Sequence, residues 1–169
     1  MSRTRTAILR RCGLLLAAAL LAACAALPGS EQPGALRADV LQRLGKPTAT
    51  YALPDGGERL QYSELPAGHA VYNLDFDSAG RLRRVEQPLT PARLAQIQPG
   101  LWTLEDVRLL LGPPVMIEHV AMFDGDIYTY RFFDFNESRF IHIHIDRGGT
   151  VRLIQFTDEF IRSDRDSDG

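Results

Sequence analysis

The pattern of apolar and polar residues repeats along the chain. Apolar residues recur every three or four positions in 35–44 and again in 104–111, and each run ends at a Gly-x-Pro sequence, at Gly45 and at Gly112. This spacing predicts a short amphipathic helix that glycine and proline terminate. Alternating sequence follows each helix and leads to an Asp-x-x-Gly turn at Asp77 or Asp146. Helix, strands and hairpin therefore occur twice in the same order.

The repeat predicts an α+β protein made of two repeated modules. Each module should have one or two short helices packed on a three- to four-stranded antiparallel sheet. The first module spans 33–88 and the second 89–157. The predicted strands are 48–53, 59–63, 71–76 and 81–86, then 115–122, 127–133, 139–145 and 150–156. Modules of roughly 55 to 65 residues are near the lower limit for an independent core, so we expect them to contact each other through apolar faces.

Two helix starts are marked by capping residues. Thr90-Pro91 opens a brief helix that the first module lacks or has shortened, because a hydroxyl at the cap and proline at the first helical position favour a helix start. Thr103 and Asp106 have the spacing of a capping box at the start of the second main helix. Trp102 stands just before it. That tryptophan has two interpretations, a hydrophobic staple across the helix start or an anchor for a partner.

The first residues have the layout of a bacterial secretory signal. Four arginines and no acid precede an apolar run at 13–23, which is too short to cross a bilayer. Leu21-Ala22-Ala23-Cys24 resembles the lipobox of bacterial lipoproteins. The resemblance implies that residues 1–23 are removed and that Cys24 is acylated, with 24–32 as a tether. The alternative is an ordinary signal cleaved beside a cysteine. Ala25 in place of Asp favours the outer membrane.

Charge and composition narrow the classes of partner. Loss of the signal would reduce Lys and Arg from 19 to 15 against 21 Asp and Glu, which gives a net charge of −6. An acidic protein is a poor electrostatic match for nucleic acid or anionic lipid, so neither is expected as a charge-driven partner. The sole remaining cysteine, Cys24, excludes a disulfide within the mature chain. Residues 158–169 read as a flexible charged tail.

Few residues are candidates for chemistry. His142 and His144 point to one face of a strand, with Asp146 next in line, and could bind a metal. The alternative is a solvated sheet face opposite buried isoleucines, and we predict no metal and no cofactor. No nucleophile, carboxylate-pair or phosphate-loop pattern is visible in the sequence, so we predict a protein that is not an enzyme. A deep pocket with convergent titratable groups would contradict that prediction.

The second module resembles the SmpA/OmlA family of outer-membrane lipoproteins, which includes BamE of the β-barrel assembly machinery. The matching residues are Gly100-Leu101-Trp102-Thr103, Asp106-Val107, Leu110-Leu111-Gly112, Pro114, Tyr128-Thr129-Tyr130 and the hairpin 146–151. The resemblance implies two helices on a three-stranded antiparallel sheet. This chain differs by carrying the module twice. Its tandem form is also similar to β-lactamase-inhibitor-like proteins, which grip a partner with two modules.

These observations predict a lipid-anchored, non-catalytic binding or scaffold protein on the periplasmic face of the outer membrane. The family resemblance implies a role in outer-membrane protein assembly or envelope integrity, with the barrel-assembly machinery as a protein partner. The alternative is a periplasmic inhibitor or small-ligand-binding protein that uses the cleft between the modules.

Overall fold

The computed structural model describes residues 27–159. The predicted signal peptide 1–23 and the lipidation site Cys24 lie outside the described residues. The described helices are α1 (Arg37–Leu44), α2 (Pro91–Leu94) and α3 (Leu104–Leu111), preceded by one 3₁₀ turn, Pro28–Ser30. The described strands are β1 (Ala49–Ala52), β2 (Glu58–Ser63), β3 (Val71–Phe76), β4 (Leu82–Glu86), β5 (Met116–Glu118), β6 (Gly125–Asp134), β7 (Glu137–Asp146) and β8 (Val151–Asp158).

The strands form two four-stranded antiparallel sheets, and this confirms the predicted α+β class with two sheet modules. The first sheet has the order β1-β2-β3-β4 and the second β5-β6-β7-β8. Neighbouring strands are consecutive in the chain in both sheets, so each sheet is a simple meander. None of the helices within 27–159 is long and apolar enough to span a membrane.

The two modules repeat at the level of single hydrogen bonds. Gly45 ends α1 with φ 74° and ψ −157°, and Gly112 ends α3 with φ 73° and ψ −153°. This backbone region is accessible essentially to glycine alone. In each module a tyrosine hydroxyl of the sheet donates to that glycine's carbonyl, from Tyr62 at 3.0 Å and from Tyr130 at 2.9 Å. The sequence repeat is therefore a structural repeat.

The predicted helix starts are present. The Thr90 hydroxyl accepts a hydrogen bond from Arg93 N, and Thr103 and Asp106 form a complete capping box. In the first module the 3₁₀ turn beginning at Pro28 takes the place of α2, as expected for a shortened helix.

Each sheet buries one face against its own main helix. Val40 of α1 packs among the inward residues of the first sheet, which are Leu60, Tyr62, Leu74, Phe76 and Leu82. The second core joins three α3 residues to the inward residues of the second sheet, and it includes Val107, Leu110, Leu111, Tyr128, Tyr130, Ile141, Ile143 and Val151. Val71 of β3 and Leu89 also belong to this second core. The layers therefore run α1, first sheet, α3, second sheet.

Three predicted boundaries need correction. The predicted tether 24–32 is too long, because Glu31 is 9% exposed and pairs with Arg43 of α1, so its last residues pack on the first module. The predicted strand 115–122 ends at Glu118. A turn follows it, closed by a hydrogen bond from Phe123 N to Val120 O. The predicted tail begins too early, since β8 continues to Asp158 and Glu159 N still donates to Ser138 O.

Candidate partner-binding surface

The face of the first sheet that points away from α1 is buried although it is polar. Four side chains define this covered face: Arg59 and Gln61 of β2 with Asn73 and Asp75 of β3, and all are at most 6% exposed. Contact between modules through apolar faces was expected; Val71 of β3 does pack into the apolar core of the second module, but the centre of the interface is polar. Polar side chains are stable there because each finds a partner within the sheet or on the second module.

A charged pair anchors the covered face. Arg59 makes two hydrogen bonds to Asp75, from Nε at 2.7 Å and from NH2 at 3.0 Å, and Arg84 NH2 adds a third at 2.8 Å. Burial acts to raise the pKa of Asp75, but the hydrogen bonds from the two arginines outweigh it and hold that pKa below its usual value. The carboxylate is therefore charged at neutral pH and fixes the arginine's orientation.

The covered face caps the C-terminal end of α3. The carbonyls of the last helical turn have no donor within a helix, and the helix dipole makes this end negative. Arg59 NH1 donates to Leu109 O at 2.8 Å, and Asn73 Nδ2 donates to Leu110 O at 2.8 Å. The Gln61 amide nitrogen donates to Asn73 Oδ1 at 2.9 Å and joins the network, while Gln61 Oε1 is buried without a hydrogen-bond partner among residues 27–159. The first sheet thus satisfies carbonyls of a helix that belongs to the second module.

The equivalent face of the second sheet is open. This open face consists of the residues that point away from α3: Met116, Glu118, Ile127, Thr129, Arg131, Phe133, Phe140, His142, His144, Leu153, Gln155 and Thr157. Met116, Phe133 and Leu153 are 45%, 51% and 45% exposed, so no helix within residues 27–159 covers them. The open face mixes apolar side chains with a central polar row.

Histidines occupy the polar row. His142 Nδ1 lies 2.9 Å from Thr129 Oγ1 and its Nε2 lies 2.9 Å from Thr157 Oγ1. His144 Nε2 lies 2.9 Å from Gln155 Oε1. Burial lowers the pKa of His142, and the neutral imidazole suits a bond to each hydroxyl. Three of the four ring nitrogens are thus used within the sheet. Among residues 27–159 no group of three or more potential ligands is placed to hold a metal.

The first module reaches one end of the open face. His69 stacks on Phe133 with ring centroids 3.8 Å apart, and its Nε2 lies 2.7 Å from Ser138 Oγ. Arg131 NH1 donates to Pro66 O at 2.9 Å. The loop 64–69 of the first module therefore packs on one end of the open face. The rest of the open face lies directly beside this contact between the modules.

This clasp brings a serine, a histidine and a glutamate together, but not as a catalytic triad. Ser138 Oγ donates to Glu159, whereas a triad acid would hold the far nitrogen of the histidine and leave the serine to the imidazole. Burial, followed by the charge of Arg131, lowers the pKa of His69. Glu159 also pairs with Arg131. Packing of the loop explains these contacts.

An aromatic side chain projects from the tip of the hairpin that joins β6 to β7. Phe135 is 97% exposed and has a φ of 46°, in the left-handed region that Asn and Gly favour. A bulky residue in that region costs stability, on the order of 1–2 kcal/mol. No burial within residues 27–159 offsets this cost, so Phe135 is a candidate for contact with a partner.

Trp102 packs inward. It is half-buried against the core that contains Val107, as a hydrophobic staple requires, and its carbonyl accepts a hydrogen bond from Val151 N at 2.9 Å. The contacts support the staple interpretation over the partner anchor.

A groove separates the modules at the edge of the first sheet. Its volume is about 450 Å³, and Tyr51 and Ala52 face Glu105, Asp106, Arg108 and Leu109 across it. Burial raises the pKa of Tyr51, so its hydroxyl stays neutral to a higher pH than that of an exposed tyrosine. A second cavity of about 630 Å³ lies between α1 and β1 within the first module, and Arg37, Leu41 and Thr50 line part of it.

Comparisons with known proteins add little. No protein-family model matches the chain, and no curated protein matches it significantly. One solved structure is similar to it: a DUF4309 family protein, YjgB, from Bacillus subtilis subsp. subtilis str. 168, with 17% identity over 74% of this chain and 79% of that chain and a TM-score of 0.30. A likeness of this size carries no argument about function.

Proposed function

We propose that this protein is a lipid-anchored, non-catalytic binding protein of the bacterial envelope, and that the open face is where its partner binds. Cys24 carries the lipid, and the anchor holds the protein at the periplasmic side of the outer membrane. The observation that supports the proposal most is the contrast between two equivalent faces. In the first module the end of helix α3 covers this face. In the second module no helix within residues 27–159 covers the equivalent face.

The composition of the open face fits a protein partner. Apolar side chains supply area to bury, while hydroxyl, amide and imidazole groups give direction. Phe133 and Phe140 offer aromatic area, and the exposed Phe135 lies at the end of the same hairpin. Arg131 is neutralised by Glu159, so the surface has no excess of positive charge to favour nucleic acid.

The role in outer-membrane protein assembly rests on the resemblance of 90–114 and the following strands to SmpA/OmlA proteins. We propose the barrel-assembly machinery as the partner on that ground. The alternative is an inhibitor or small-ligand binder, and the groove between the modules beside Tyr51 and Arg108 supports it.

Site-specific photocrosslinking in the native host tests the proposal. A photoreactive residue replaces His144 on the open face, and a matched probe replaces Lys46 on the loop after α1. The His144 probe should crosslink to barrel-assembly subunits, and the Lys46 probe should not. A third probe, at Arg108 in the groove, that captured one soluble enzyme would favour the inhibitor. Equal capture by the His144 and Lys46 probes would contradict the assignment of the surface.

The variant Phe135→Asn sharpens that test. Asparagine adopts left-handed backbone more readily, so the variant should raise the melting temperature while reducing the crosslinked fraction. A variant that is stabilised and still crosslinks fully would show that Phe135 is not part of the surface. Mass spectrometry of the membrane fraction should in addition find an acylated peptide that begins at Cys24, and an unmodified chain that retains 1–23 would contradict the anchor.

A further inference from the structure

Strand β8 has a free edge with defined ends. It pairs with β7 on one side and is the last strand of its sheet. On the other side only its first residue is occupied, since Val151 N donates to Trp102 O at 2.9 Å and Val151 O accepts from Gly100 N at 2.7 Å. From 152 to 158 no described strand pairs with that side. The free stretch is therefore centred on Gln155.

The backbone groups that face outward follow from one hydrogen bond. Glu159 N donates to Ser138 O, so odd-numbered residues of this stretch point their N–H and C=O groups toward β7. Because these groups alternate along an antiparallel strand, those of Ile154, Phe156 and Asp158 point outward. The register shifts between Val151 and Leu153, and Val151 O accepts from Gly100 N, so the Arg152 N–H points toward β7 and only its carbonyl points outward. Such a row of unpaired groups is a template for another strand.

The free stretch is complementary to itself. In an antiparallel pair centred on Gln155, Arg152 would stand opposite Asp158 of a second copy and Ile154 opposite Phe156. Ile154 and Phe156 point both backbone groups outward, as hydrogen-bonded pairs require, and the Arg152 carbonyl can accept from Asp158 N of the second copy. Opposite charges and apolar pairs directly across strands are the favourable combinations. Arg152 is 55% and Asp158 63% exposed, so each remains accessible beyond its contact with Asp146 or Arg139.

We propose that β8 pairs with β8 of a second copy of this chain, antiparallel and centred on Gln155, to form a continuous eight-stranded sheet. Two-fold symmetry makes this contact self-limiting, since each chain contributes its one β8 edge. The apolar side chains of this edge, including Phe156 at 42% exposed, gain burial on pairing. The dimer would place two open faces side by side for one partner.

The equivalent edge of the first module is unsuited to the same contact. Strand β4 has five residues against eight for β8, and three of the five are charged, namely Arg83, Arg84 and Glu86. Arg84 is committed to the buried Asp75. Charges on a short strand are a common protection of a sheet edge, and the contact is therefore assigned to β8 alone.

Disulfide trapping tests the register. The full chain with Cys12→Ser and Cys24→Ser, in mild detergent, receives Gln155→Cys. Gln155 would face its own copy in a non-hydrogen-bonded pair with Cα atoms about 4.5 Å apart, which is compatible with a disulfide. Thr157→Cys is the matched control, because Thr157 would face Leu153 and lie far from its own copy. Mild oxidation should give a covalent dimer from the first variant and at most a trace from the second. Equal yields would overturn the proposal.

Charge exchange tests the pairing without a thiol. Asp158→Arg places arginine opposite Arg152 twice per dimer and should raise the dimer dissociation constant roughly tenfold or more. The double variant Arg152→Asp with Asp158→Arg breaks both intrachain ion pairs but restores opposite charges across the dimer. It should return the constant to within about threefold of the parent. Sedimentation gives the constants, and thermal melts confirm folding of each variant. A parent chain that stays monomeric at about 1 mM would overturn the proposal.

Discussion

The covered face of the first sheet and the open face of the second differ although they are built from equivalent positions. On the first, Asn73 and Gln61 are fully buried against the end of α3. On the second, His142 and Thr129 form the equivalent pair; Thr129 is buried and His142 half-buried, but apolar residues farther out on the same face remain exposed. Polarity of a strand face therefore does not decide its burial. The covered face is buried because the next module follows it in the chain and supplies a helix end that needs donors.

The largest expected difference between the faces comes from removing a charge. Asp75→Ala leaves Arg59 buried without its carboxylate and should lower the free energy of unfolding by about 3–5 kcal/mol. His144→Ala changes the equivalent position of the open face and should cost at most about 1 kcal/mol, the value of one hydrogen bond. Urea denaturation of both variants measures the difference. Equal losses would show that the two faces are equally buried.

Two equivalent glycines give the next difference. Gly45→Ala forces alanine into a glycine-only region and should cost about 1–3 kcal/mol. Gly112→Ala has the same strain, and its Cβ would lie 2.2 Å from Gln61 Oε1, whereas nothing lies within 4 Å of a Cβ at Gly45. Displacing the buried Gln61 should lower the free energy of unfolding by about a further 1–3 kcal/mol. If both variants melted alike, the contact between Gly112 and the first sheet would not matter for stability.

The sequence was sufficient for the repeat, because Gly-x-Pro and Asp-x-x-Gly punctuation reflects local backbone requirements. Thr103 and Asp106 form the predicted capping box for the same reason. The covered face could not be predicted, since alternation along β3 marks Asn73 and Asp75 as one face without indicating what lies on it. The clasp of His69 on Phe133 joins residues 64 positions apart, and no local pattern records such a contact.

Acid should lower the free energy of unfolding through the covered face, and by less than the substitutions at Asp75 or Gly112. Arg59 and Arg84 hold the pKa of Asp75 below its usual value, so its stabilising contribution is complete above the pKa of the unfolded chain, about 4. That contribution is lost as the pH falls below 4 toward the folded-state pKa, at up to about 1.4 kcal/mol per pH unit. The free energy of unfolding of Asp75→Asn should decline less steeply between pH 5 and pH 3 than that of the parent chain. The two slopes should differ by at most about 1.4 kcal/mol per pH unit. Parallel declines would contradict the role of this carboxylate.

The most direct test of the open face is modification of its histidines by diethylpyrocarbonate, quantified by mass spectrometry. His119 is the internal control, because its side chain is 62% exposed and lies outside the open face. In purified protein, His144 and His119 should both react. In the native envelope, His144 should become protected by the bound partner while His119 remains reactive. If His144 reacts equally in the envelope and in the purified protein, the open face has no partner there.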